Sequence, residues 1–158
     1  MIEGARRFAL DHAELLARLV NDARRRYEEA LGQPIEPVSV EQVRARLEEL
    51  FDEPYIGLNL AALVHLARSL TAAEDYETFI VDEILGVAIA EIIAAREPHR
   101  SFAVSAFHIL DALIKDEINQ VVDRRNLAVD DLLAGLAAGL EATLPGWRWM
   151  REPPKPKE

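Results

Sequence analysis

Apolar residues in this chain recur at three- and four-residue spacing, and that rhythm leaves few folds open. After Asp11, a candidate cap, the positions Leu15, Leu16, Leu19, Val20, Ala23 and Tyr27 fall on one face of a helix. Gly32, Pro34 and Pro37 then end the run. Ala and Leu dominate, and aromatics are only 6% of the residues, so a sheet lacks its usual building material. The expectation is an all-α, single-domain bundle of about seven helices over residues 1–143, followed by a Pro-rich charged tail over 144–158.

The remaining segments read the same way. Ser39 and Gln42 have the spacing of a capping box and open a helix that runs to about Phe51, before Pro54. A third segment starts near Gly57 and ends near Thr71, where Thr71 and Glu74 repeat the capping-box spacing. In the second half an apolar helix, IVDEILGVAIAEIIAAR, stops at Pro98. Ser105 is expected to open the next helix, SAFHILDALIKDE. A brief helix INQVVDRR and a closing helix AVDDLLAGLAAGLEATL follow, ending at Pro145. Shifted by 66 residues, the second half lays Leu85 on Leu19, Ile89 on Ala23, Val104-Ser105 on Val38-Ser39 and His108 on Gln42. The expectation is a pseudo-repeat, residues 8–72 and 76–143.

Charge and composition narrow the function. The chain carries a net charge of −10, which repels a phosphate backbone and speaks against nucleic-acid binding. The run Arg24–Arg26 is the local exception and reads as a solvated helix face beside Glu28 and Glu29. With no cysteine, disulfides and thiolate chemistry are excluded, which fits a cytoplasmic setting. The most apolar stretch, Ile84 to Ala95, is too short to span a bilayer and contains Glu91.

Candidate chemistry is sparse. His12, His65, His99 and His108 include no Glu-x-x-His pair of the di-iron kind. His65 reads as a core-edge residue, and His108 with Asp111 as a solvated or capping pair. The serines sit in no G-x-S-x-G elbow, and no Walker-type loop is present. The carboxylate pairs Glu48-Glu49, Asp52-Glu53 and Asp130-Asp131 read as solvated helix faces or helix starts. No cofactor and no enzymatic activity are expected.

The order of long helix, loop, capped helix and closing helix, used twice, resembles the N-terminal domain of the Clp unfoldases. The residues that carry the resemblance are Ser105-Ala106-Phe107-His108-Ile109-Leu110 and Ser39-Val40-Glu41-Gln42-Val43. It implies a protein-interaction module that binds client, adaptor or degron peptides at Ser39, Glu41, Gln42, Ser105, Phe107 and His108. In some members of that family the matching glutamates receive arginine-phosphate tags, a role only Glu41 could inherit. Three positions stay open: Phe107 either packs between repeats or anchors a partner, and Trp147 and Trp149 either fold back or dock a partner. An alternative reading is an acidic helical inhibitor or assembly factor of phage or defence type, since residues 32–80 hold nine acids against three Arg. A Leu- and Ala-rich helix face can also pair two copies as a homodimer.

Overall fold

The computed structural model describes residues 2–69, 76–95, 99–118 and 127–147. Among them are seven α-helices and no strand: α1 Ile2–Asp11, α2 Ala13–Leu31, α3 Val40–Asp52, α4 Pro54–Ser69, α5 Tyr76–Ala94, α6 His99–Ile118 and α7 Leu127–Thr143. The fold is all-α. The chain's start is itself helical, so Asp11 ends α1 instead of capping α2, and His12 occupies the break between them.

Each boundary in the first half has a local cause. Gly32 adopts a left-handed conformation (φ 67°) and its N–H donates to the Glu28 carbonyl, closing α2. The following loop does not float. Val38 exchanges two hydrogen bonds with the Asn21 side chain, at 2.8 and 2.9 Å, and the Ile35 N–H donates to Glu28 Oε1 at 2.7 Å. Ser39 then opens α3 with a complete capping box: its Oγ accepts from the Gln42 N–H and its own N–H donates to Gln42 Oε1. Proline does not separate α3 from α4 by a loop. Pro54 is the first residue of α4, where its missing N–H costs nothing, and Glu53 Oε2 accepts from the Ile56 N–H at 2.6 Å.

The last helix is the axis of the molecule. Every residue of α7 from Asp130 to Ala142 is buried, with α5 and α6 packed along it and α2 and α4 also touching it. The α5–α7 crossing is close because glycines face each other. A methyl at Gly135 would overlap the Gly86 carbonyl, and one at Gly86 would lie 2.6 Å from the Asp131 carbonyl oxygen and 2.5 Å from the Phe107 ring. Farther along, Gly139 leaves room for the Ile93 side chain. Successive contacts thus advance in the same direction on both helices, so α5 and α7 run in the same sense. Asp130 and Asp131 are accordingly inside, 5% and 1% exposed, which overturns their reading as solvated acids.

One expectation about the second half needs correction. α6 begins at His99, so Ser105 lies in its second turn and caps nothing; its Oγ donates to the Ser101 carbonyl at 3.3 Å. The pseudo-repeat is not confirmed by the packing. α5 and α7 form the most extensive helix pair in the molecule, whereas α2 and α4, their counterparts, barely touch. At the 66-residue shift Val20 stands where Gly86 allows the close crossing. The expected short helix INQVVDRR and the Thr71–Glu74 box lie largely outside the described residues, as does Trp149.

The glycines give a direct test of this packing. Gly4 in α1 has open space around it, so Gly4→Ala should raise stability by up to about 1 kcal/mol through helix propensity. Gly135→Ala gains the same propensity yet must force two backbones apart. It should lower stability by roughly 1–3 kcal/mol, read from urea denaturation midpoints.

Candidate functional site

A concavity lies where the N-terminal helices meet the C-terminal three. It is a cleft of about 600 Å³ lined by Gln42, Ala45, Arg46 and Glu49 of α3, Ile56 of α4, Ile93, Ala94 and Ala95 at the end of α5, His99 of α6, and Thr143, Leu144 and Pro145. The four α3 residues are three and four positions apart, so the capping box that fixes the first turn of α3 also fixes this face. The opposite wall is built from two helix C-termini. Ala95 holds a left-handed conformation (φ 62°) unusual for a residue with a Cβ, and it ends α5 with a hydrogen bond from its N–H to the Glu91 carbonyl.

One cation is set between the walls. Arg46 Nε donates to Thr143 Oγ1 at 3.5 Å, and its Nη1 lies 3.5 Å from Glu49 Oε1. The guanidinium stands beside the end of α7, where the helix dipole favours positive charge. Its side chain remains 25% exposed, so it faces the cleft and solvent together. Ile56 and Ala95 supply apolar contact over the buried Ile93, Ala94 and Leu144; Gln42, Arg46, Glu49, His99 and Thr143 supply hydrogen-bonding groups. Such a surface suits an extended peptide with one carboxylate and one or two apolar side chains.

The wall at 144–147 is held from behind by a buried ion pair. Arg24, 1% exposed, sends Nε to Glu141 Oε1 at 3.0 Å, Nη1 to the carbonyls of Glu36 and Pro145 at 2.5 and 2.7 Å, and Nη2 to the Leu144 carbonyl at 3.1 Å. Trp147 folds over this cluster. Its Nε1 donates to the Glu141 carbonyl at 2.9 Å, its ring meets Tyr27 and Phe102 edge-on, and Arg24 lies 5.7 Å from its centroid. Arg24 is therefore not part of a solvated face, and residues 144–147 belong to the packed body and not to a free tail. Gly146 (φ 127°) passes so close to Arg24 that a side chain there would strike the guanidinium.

The structure scatters the expected site residues. Ser39, Glu41 and Gln42 are exposed at the start of α3, and Gln42 lines the cleft. His108 is exposed on α6, where its Nδ1 lies 3.9 Å from Glu83 in a separate hollow of about 370 Å³ with Ile84, Val87, Ala88 and Glu91. Phe107 is fully buried against Gly86, and Trp147 is 5% exposed, so both are packing residues with no face to offer a partner. Asp111 is buried and His65 exposed, the reverse of what their patterns suggest. Among the described residues no three His, Asp or Glu side chains converge as a metal set, and no helix is long and apolar enough to cross a membrane.

Arg46 and Thr143 were not singled out from sequence, because each sits in an ordinary helical pattern, and His99 was weighed only as a metal ligand. Glu141 did carry a signal: it is the one charged residue between Leu132 and Leu144, and a carboxylate in such a run must meet a cation.

Burial pushes the Glu141 carboxyl up to about 7 from its ordinary 4.5, although Arg24 and the Trp147 contact pull it back. Burial and the neighbouring Glu141 raise the Tyr27 phenol as well. A raised carboxyl means that the folded state holds a proton the unfolded chain has released. Its contribution to stability is thus fully present below about 4.5 and is lost as pH rises through about 7. The urea midpoint should be lower at pH 8 than at pH 5, and Glu141→Gln should flatten that slope. A midpoint that climbs over this interval in the unsubstituted chain would assign the proton elsewhere.

Comparison with known proteins adds a family and no activity. No curated protein and no solved structure matches the chain. The model of one family, described as a domain of unknown function (DUF7984), matches residues 1–157, and the chain belongs to that family.

Proposed function

We propose that the chain is a non-enzymatic protein-interaction module that binds an extended segment of another protein in the cleft between α3 and the ends of α5 and α7. The observation that carries this is the mixed lining of the cleft. An apolar floor lies beside a guanidinium whose side chain is 25% exposed, on helices held in place by a capping box and a buried ion pair. In this reading Arg46 receives a carboxylate, from an acidic side chain or a chain terminus, while Ile56 and the exposed Ala95 receive an apolar side chain. Gln42 in the lining, with the exposed Glu41 next to it in sequence, makes the polar contacts that set register. The segment would be a client, adaptor or degron peptide, in keeping with the resemblance to the Clp N-terminal domain. The module would work in the cytoplasm.

Peptides selected from a displayed library on the intact chain, then titrated by fluorescence anisotropy, test the reading. Ala45 is exposed on the cleft face of α3, so Ala45→Trp should fill the cleft without disturbing the core. Ala45→Trp and Arg46→Ala should each weaken binding about tenfold or more, a loss of about 1.4 kcal/mol. Selected peptides that bind both variants as well as the parent would remove the cleft from the account. Affinity that collapses with added salt regardless of these substitutions would favour the acidic-inhibitor reading instead.

A further inference from the structure

α4 is apolar on both sides. Gly57, Leu60, Ala61 and Val64 face the interior, while Tyr55 (79%), Leu58 (52%) and Leu66 (51%) are exposed, with Ala62 half-buried between them. Positions 55, 58, 62 and 66 are spaced three, four and four apart, so they form one continuous stripe along the outer face. Exposed leucines scattered singly need no explanation, but a stripe of this length calls for a cover.

We propose that this stripe pairs two copies of the chain through an antiparallel, two-fold α4–α4 contact centred on Ala62. The occupant follows from charge and from symmetry. From Tyr55 to Ala67 there is no Asp, Glu, Lys or Arg, in a chain whose net charge is −10. Two copies meeting along this stripe bring no like charges of the stripe together. A two-fold contact also demands that a surface complement itself. Leu58 and Leu66 each lie four residues from Ala62, so an axis through Ala62 sets Leu58 against Leu66 of the partner subunit, twice. Asn59 and His65 each lie three residues from it, so a polar pair flanks the leucines on both sides. The small side chain at the centre lets the helices come near each other.

Four side chains cover less than the roughly 800 Å² per partner of a standard interface, so the dimer should be reversible, with a Kd on the order of tens of micromolar. This inference is independent of the peptide cleft, which lies elsewhere on the molecule except for Ile56.

Sedimentation equilibrium of the full chain from about 1 to 500 µM tests it, since that range brackets the expected Kd. The weight-average mass should rise toward twice the monomer value. Leu58→Glu and Leu66→Glu, both at exposed positions, should each raise the Kd at least tenfold while leaving the circular dichroism spectrum unchanged. The double variant L58K/L66E should restore pairing, because the two-fold axis sets opposite charges face to face; L58K/L66K should not. A chain that stays monomeric throughout, a Leu58→Glu variant that still dimerises, or a charge swap that restores nothing would overturn the proposal.

Discussion

A guanidinium buried in the middle of a helical protein dictates much of what surrounds it. Stripping Arg24 of water costs several kcal/mol, and the cost is offset only if its donors are met. They are met by Glu141, by the carbonyls of Leu144 and Pro145, and by the Glu36 carbonyl. Two parts of the chain far apart in sequence, the loop at Glu36 and the segment from Glu141 to Pro145, are thereby fixed to α2. Two of the carbonyls follow the end of α7, so the same group that neutralises Glu141 also satisfies a helix terminus that would otherwise be orphaned.

The cleft inherits its shape from that arrangement. One wall is α3, whose start is placed by the loop at 33–39, itself held by Asn21, Arg24 and Glu28 along one face of α2. The other wall is Thr143 to Pro145, held on its far side by Arg24. Both walls therefore depend on one side chain that never touches the cleft. A segment bound between them would meet a surface already organised, with little left to order on binding.

Helix type was readable from spacing alone, because an amphipathic period survives almost any packing; the number was not, since α1 was not expected and the expected short helix INQVVDRR lies largely outside the described residues. The boundaries were less readable. Pro54 looked like a terminator, yet proline is equally at home as the first residue of a helix, and Glu53 behind it supplies the cap. The Val104-Ser105 pair resembled Val38-Ser39, but only Ser39 has a loop before it; α6 was already helical from His99. Asp130 and Asp131 looked solvated because acids at a helix start usually are, and nothing local reveals that α7 is enclosed on every side. Arg24 was hidden by Arg25 and Arg26, which are exposed as expected. The glycines that set the α5–α7 crossing were visible in the sequence, and their absence at the matching places in the first half explains why similar helix order gives dissimilar packing. The cleft itself was out of reach, since its lining comes from five helices whose meeting is a tertiary fact.

The claim that one buried arginine organises both walls can be read from amide hydrogen exchange on the chain and its Arg24→Met variant, which keeps the side chain's bulk and removes its donors. The account predicts that residues 33–39 and 144–147 lose protection together while the α5–α6 peptides stay as slow as before. If either segment kept its protection while the other opened, the two walls would have separate supports and the central claim would be wrong.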